Sequence, residues 1–147
     1  MPASDYYLSN LNNDKEERME VPKDLRYTKE HEWLKVNGAK GVVGITHFAQ
    51  DQLGDVVFVE VPAVGTELAV ENTFGVVESV KTVSDLYAPV GGKVVAVNKD
   101  LEANPELVNK DPYGKGWMIE IELSDSSQSN DLLSAADYEA FIKEQQG

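Results

Sequence analysis

Phe74-Gly75-Val76-Val77-Glu78-Ser79-Val80-Lys81-Thr82-Val83-Ser84-Asp85-Leu86-Tyr87-Ala88-Pro89-Val90-Gly91-Gly92 is the stretch on which the reading of this chain turns. β-Branched and aromatic residues with polar ones between them run to either side of Lys81. Pro89 and the Gly91-Gly92 pair close the stretch, so it predicts a β-hairpin with the lysine near its tip. Val80, Thr82 and Val83 are stiff at χ1, which predicts a rigid tip presenting one amine in one geometry. The ordinary alternative is a solvated lysine that only blocks edge-to-edge strand pairing.

Working outward, 147 residues make about one domain, large enough to bury a modest core without metal or disulfide. The chain has no cysteine, which removes disulfides, zinc-thiolate sites and cysteine nucleophiles. Any sulfur chemistry must therefore come from an attached group. The 26 acidic residues against 13 basic ones give a formal charge of −13, which argues against binding a phosphate backbone and for docking basic protein surfaces. No run approaches the ~18 apolar residues that span a bilayer, and the N-terminus lacks the apolar centre of a secretory signal.

Residues 1–20 are polar and without a sustained hydrophobic period, and are expected to form a loose tail. Asp5, Asp14, Glu16, Glu17 and Glu20 make the tail unlike an acid-poor mitochondrial transit peptide, so a cytoplasmic location is expected. From Val21 the composition changes, and residues 21–147 are read as the domain. Asn37-Gly38 is a strong hairpin dipeptide, and Lys40 to Ile45 reads as a strand. Thr46 can cap a helix over His47 to Leu53 that stops at Gly54. Asp55 to Val61 alternates, with Val57, Val59 and Val61 on one face and Val56, Phe58 and Glu60 on the other, which predicts a strand covered on both faces. Pro62-Ala63-Val64-Gly65-Thr66 is a short echo of Ala88-Pro89-Val90-Gly91-Gly92. Strands are expected at Lys93 to Asn98 and Trp117 to Leu123, with a one-turn helix opening at Asn104-Pro105. A terminal helix is expected over about 134–145, capped by Ser134 with Asp137 three residues on, and burying Tyr138, Phe141 and Ile142.

Little else in the chain reads as chemistry. His31 and His47 have no ligand spacing or nucleophile motif around them and are read as structural. No Gly-x-Gly-x-x-Gly or Walker pattern supports nucleotide binding. The acids are too numerous to single out a general acid and base. That leaves Lys81 as a candidate carrier lysine, or the whole domain as an acidic interaction module whose lysine is never modified.

Several separated motifs then point one way. Glu78 through Pro89, Leu25-Arg26-Tyr27-Thr28 with His31-Glu32-Trp33, Gly44-Ile45-Thr46 through Ala49-Gln50 to Leu53-Gly54-Asp55-Val56-Val57, Asn104 through Asn109, Asp111-Pro112-Tyr113-Gly114, Gly116-Trp117 and Leu132-Leu133-Ser134 resemble the glycine cleavage system H protein family. The resemblance runs from about Val21 to the C-terminus. Biotin carrier domains usually place Met on both sides of the lysine, and lipoyl domains of 2-oxo acid dehydrogenases Asp before and Ala after. Val80 and Thr82 match neither.

The resemblance implies a mostly β barrel-sandwich hybrid of two antiparallel sheets, with short peripheral helices and a C-terminal helix. It implies lipoate joined by an amide to Lys81, on a non-catalytic carrier. The arm would take an aminomethyl group from the pyridoxal phosphate-dependent glycine decarboxylase (P protein) and pass it to the tetrahydrofolate-dependent aminomethyltransferase (T protein). Dihydrolipoamide dehydrogenase (L protein) would reoxidise it, and a lipoate ligase or lipoyltransferase would attach it. Glu32 and Asp85 match family positions at a cleft that shelters the loaded arm, and Glu78 is a candidate for docking the ligase. A relay role, donating lipoyl groups to other carrier domains, would use the same lysine. A carrier that must expose its arm to several enzymes is expected to be a monomer.

Overall fold

In the computed structural model, residues 20–146 are described. Residues 1–19 of the expected tail lie outside that range, and with them Asp5, Asp14, Glu16 and Glu17, four of the five acidic residues on which the argument against a mitochondrial address rested. Glu20 belongs with the folded part. Its N–H donates to His47 Nδ1 at 3.3 Å, and its carbonyl accepts the Tyr113 hydroxyl.

A hairpin turn forms near Asn37-Gly38, but one residue later than that dipeptide suggests: Asn37 ends its strand opposite Lys40, and the loop is Gly38-Ala39, with Gly38 at φ +64°. It joins β2 (Glu32–Asn37) to β3 (Lys40–Ile45) in an antiparallel pair whose register runs from Asn37↔Lys40 to Glu32↔Ile45. Two-residue β1 (Arg26–Tyr27) adds to β2. Thr46 accepts the Ala49 N–H at 3.1 Å and so starts α1 (His47–Leu53), which ends at Gly54 with φ +77°. Beyond it come β4 (Val56–Glu60), β5 (Glu67–Leu68), and then the hairpin itself, β6 (Thr73–Ser79) and β7 (Val83–Tyr87). The second half supplies β8 (Gly92–Val97), α2 (Asp100–Ala103), α3 (Leu107–Lys110), β9 (Ile119–Leu123), a 3₁₀ segment (Ser126–Asp131) and α4 (Ala135–Gln146).

These strands make two antiparallel sheets that do not close on one another. One has the order β1-β2-β3-β9-β8-β5 and the other β4-β6-β7. Alternation sends Leu34, Val43, Val94, Ile119 and Ile121 of the larger sheet, and Val59, Val77 and Leu86 of the smaller, into one shared core. A second cluster gathers Tyr27, Trp33, Phe48, Tyr138 and Ile142 beneath α4. There Tyr27 and Tyr138 stack with ring centres 4.6 Å apart, and the Tyr138 hydroxyl meets Thr46 Oγ1 at 2.7 Å and His31 Nδ1 at 2.8 Å. The Asp137 N–H donates to Ser134 Oγ at 3.2 Å, as the cap reading requires.

The expectation for residues 55–61 needs correction. The register slips between Val56 and Phe58, so a bulge reverses the alternation: Val56 and Val59 are buried, whereas Val57 and Phe58 are each 49 % exposed. Only one face of this strand is covered. Helix α3 begins at Leu107, two residues past the Pro105 start that the sequence suggests. Short elements β5 and α2 were not foreseen, because two to four residues carry too little pattern to read. The echoed turns have a tertiary counterpart, since the strands that follow them pair as Glu67↔Lys93 and Leu68↔Gly92.

Candidate functional site

Lys81 lies in the connection Val80-Lys81-Thr82 between β6 and β7, with its side chain exposed. Ser79 closes this turn. Its buried Oγ accepts the N–H groups of Lys81 and Thr82, each at 3.1 Å, and its own N–H donates to the Thr82 carbonyl at 2.8 Å. The turn is also fastened from outside the hairpin, because the Val80 N–H donates to the Asp55 carbonyl at 3.0 Å.

Residues 54–56 that supply this carbonyl are held in turn by Asn109 of α3. Its Nδ2 donates to the Gly54 carbonyl at 2.8 Å and to Gln50 Oε1 at 3.0 Å, and its Oδ1 accepts the Val56 N–H at 2.9 Å. Gly54 lies beside the lysine stem, and a Cβ there would stand 3.3 Å from Lys81 Cε. Both its positive φ and this proximity favour glycine.

A cleft of about 580 Å³ opens beside the hairpin, between edge strand β7 and the end formed by β2, α1 and α4. Glu32 and Asp85, far apart in sequence, both line it, together with Phe48, Gln52, Val77 and Leu86. The wall formed by Gln52 and Leu53 reaches the residue next to Gly54, so the cleft begins close to the lysine. Glu78 does not line it; it is exposed on β6, paired across the sheet with Phe58 and Val83.

The two cleft carboxylates differ. Asp85 is exposed, whereas Glu32 is 2 % exposed with both oxygens engaged: Oε1 accepts the Thr28 hydroxyl at 2.6 Å, and Oε2 the Tyr87 N–H at 3.3 Å. Burial raises its pKa to about 7 against the pull of those two donors, with Glu30 adding to the rise. Near neutral pH, Glu32 therefore exists in both protonation states. His31 sits at φ +72° and also borders the cleft, where burial lowers its pKa and favours the neutral ring. It packs between Phe48 and Phe141 while bonding Tyr138, in keeping with a structural role. Among the described residues no helix is long and apolar enough to cross a membrane.

Three residues that shape this site escape a reading of the sequence. Ser79 had a detectable signal, since a serine just before a tight turn commonly accepts N–H groups one to three residues on. Asn109 had none, its partners lying 53 to 59 residues away. Gly54 was legible as a helix stop but not as a neighbour of Lys81.

An exposed lysine on a braced turn, next to a cleft with acidic walls, fits a covalently attached arm that the chain, lacking cysteine, would need for any sulfur chemistry. Comparison with known proteins agrees. The family model for the glycine cleavage H-protein matches residues 25–145. A glycine cleavage system H protein of Symbiobacterium thermophilum is 64 % identical over 124 residues, covering 84 % of this chain and 97 % of that protein. The Bacillus subtilis glycine cleavage system H protein is 58 % identical over 126 residues, covering 86 % and 99 %. The crystal structure of a glycine cleavage system H protein from Mycobacterium marinum superposes with a TM-score of 0.77 at 39 % identity, covering 84 % of this chain and 99 % of that one. The chain belongs to the glycine cleavage H-protein family, the lipoate-bearing, non-catalytic carriers of the glycine cleavage system.

Proposed function

We propose that Lys81 is the lysine of this carrier that bears the lipoyl group, and that the cleft lined by Glu32 and Asp85 receives the far end of the arm. The observation that carries the reading is the turn at Lys81: exposed, closed by Ser79 and fastened to Asp55, so that the amine stands at a fixed place on a rigid support. Bound there, the lipoyl group supplies the disulfide and dithiol chemistry by which the glycine cleavage system moves aminomethyl units between its decarboxylase and its aminomethyltransferase.

The chain's own residues have the tasks of presentation and protection. Ser79, Asp55 and Asn109 hold the attachment point. Phe48, Val77 and Leu86 give the cleft apolar walls that limit water, and Glu32 and Asp85 offer negative charge to a cationic cargo. Coulomb attraction is worth about 1 kcal/mol at 4 Å in bulk water and several times that where water is reduced, so the cleft is where such charges act. A cation there would draw Glu32 toward its ionised form. We further read residues 21–147 as the carrier unit, preceded by 1–20, and its place as the cytoplasm, in keeping with the bacterial sources of its relatives.

The test is the intact mass of the protein made with lipoate and a lipoate-attaching enzyme. Wild type gains the mass of one lipoyl group, located to Lys81 by peptide mapping, and Lys81→Ala gains none. A lipoyl group on another lysine, or on Lys81→Ala, would overturn the assignment.

A further inference from the structure

Glu32 stands between two openings. It lines the cleft, and it also lines a second hollow of about 330 Å³, whose walls include Thr28, Val70, Tyr87, Pro89 and Leu132. Both donors to its carboxylate, Thr28 and Tyr87, belong to the hollow and not to the cleft. They are not equal, since Thr28 Oγ1 lies 2.6 Å from Oε1 whereas the Tyr87 N–H reaches Oε2 at 3.3 Å. The direction of the shorter bond is set by a second contact. The Glu32 N–H can only donate, and it does so to Thr28 Oγ1 at 3.0 Å, so the hydroxyl meets it with a lone pair and turns its one hydrogen to Oε1. Among the described residues Thr28 Oγ1 has no other partner. A proton placed on Oε1 would displace that hydrogen, so the bond is strongest with the ionised carboxylate.

We propose that Thr28 is a positioning residue for the aminomethyl cargo: its hydroxyl, acting from the hollow, holds Glu32 ionised and in place at the wall of the cleft. The inference rests on Glu32 being a carboxylate that faces the cargo. Burial pushes a proton onto Glu32, and Thr28 is the strongest of the groups that oppose it. No neighbouring cation takes this part. The α1 residues lining the cleft carry no charge, and β7 adds only the like charge of Asp85. Glu30 and a neutral His31 flank Glu32 in the chain, and Tyr138 of α4 is kept neutral by its own burial. The hollow adds the phenols of Tyr27 and Tyr87 and two more acids, Glu71 and Asp131; its one cation, Lys29, is exposed and lies 6.0 Å from the Phe141 ring centre. A neutral Glu32 would leave a cationic cargo facing Asp85, which is exposed to screening by water and salt.

The test titrates the unlipoylated full chain, isotope-labelled at the glutamate carboxyls, and follows Glu32 by NMR. Wild type should titrate at about 7. Thr28→Val keeps the branched shape without the hydroxyl, and should bind the Glu32 proton about tenfold more tightly, a midpoint about one pH unit higher. Thr28→Ala should agree with it, and Thr28→Ser should titrate like wild type. A merely structural role for Thr28 would not move this midpoint. In the lipoylated carrier loaded from glycine by the decarboxylase, aminomethyl loss at neutral pH should be several-fold faster in Thr28→Val and return to the wild-type rate in Thr28→Ser. With Glu32→Gln already in place, Thr28→Val should add nothing. A wild-type midpoint in Thr28→Val, an equal rise in Thr28→Ser, or the same acceleration on the Glu32→Gln background would overturn the proposal. Glu32→Gln retaining its cargo as wild type does, with the Thr28→Val midpoint raised, would instead sink the cleft role of Glu32 and leave its control by Thr28 intact.

Discussion

Glu32 shows how a single position can combine structural and functional demands. Its backbone N–H donates to Thr28 Oγ1 at 3.0 Å while the Thr28 hydroxyl returns a bond to its carboxylate, so the side chain is locked into the start of β2. Oε2 reaches across to the Tyr87 N–H and ties that strand to β7, on the other side of the cleft. Its pKa has a measurable consequence. With the folded value raised to about 7 by burial and the unfolded one in the ordinary carboxylate range, the folded protein holds one more proton over that interval. Stability should therefore fall as pH rises from about 4.5 to 7, by at most ~1.4 kcal/mol per pH unit, and level off above it. Melting curves between pH 5 and 8 should show this slope in wild type and lose it in Glu32→Gln; an identical slope in both would show that Glu32 does not titrate there. Ser79 is the counterpart at the hairpin tip, where one hydroxyl takes both N–H groups that the tight turn leaves unpaired.

At the level of elements, the β6–β7 hairpin does not stand alone. A free two-stranded hairpin is marginal in water, and this one gains β4 along one edge and, at its tip, the bond from Val80 to Asp55. The chain from α3 to the lysine is short: Asn109 grips Gly54 and Val56, and the carbonyl between them holds Val80. Asn109→Ala would strip partners from the Val56 N–H and the Gly54 carbonyl, at a cost of about 1–3 kcal/mol in a denaturant titration. Hydrogen exchange at the Val80 amide should speed up as well, while the amides of Ile119 and Ile121 in the larger sheet slow or speed only with global stability. Unchanged Val80 exchange would mean that Asp55 keeps its place without Asn109. The elements that the sequence predicts well, β2, β3, α1 and α4, carry strong turn, cap or period signals. Bulged β4 was misread because one extra residue in the register reverses every later side chain.

Across the whole molecule, charge and shape divide the work. A formal charge of −13 on a small carrier produces a field that draws in basic partner surfaces, and that field is screened as salt shortens the Debye length from ~10 Å at 0.1 M to ~3 Å at 1 M. The association rate of Lys81→Ala with its lipoate-attaching enzyme, followed by stopped flow, should fall several-fold from 0.05 to 1 M salt. The dissociation rate, which depends on short-range contacts rather than on steering, should change little. A salt-independent association rate would rule out steering. The fold places the shared core between the two sheets and a second, aromatic cluster under α4, from which Phe48 also lines the cleft. Thus the hairpin carrying Lys81 remains open to solvent on its outer face.

By itself the sequence determined the hairpin and its lysine, the absence of any cysteine sulfur, the net charge and the family, because each is written in local pattern or in composition. Tertiary structure alone decided that Glu32 and Asp85 face one cleft, that Asn109 braces a turn it never touches, and that Phe58, Glu78 and Val83 stand in one row. The physical reason is that these relations depend on strand register and on which sheet edge lies free. One bulge between Val56 and Phe58 is enough to turn Phe58 outward beside Lys81, and no alternation of residues along the chain announces it.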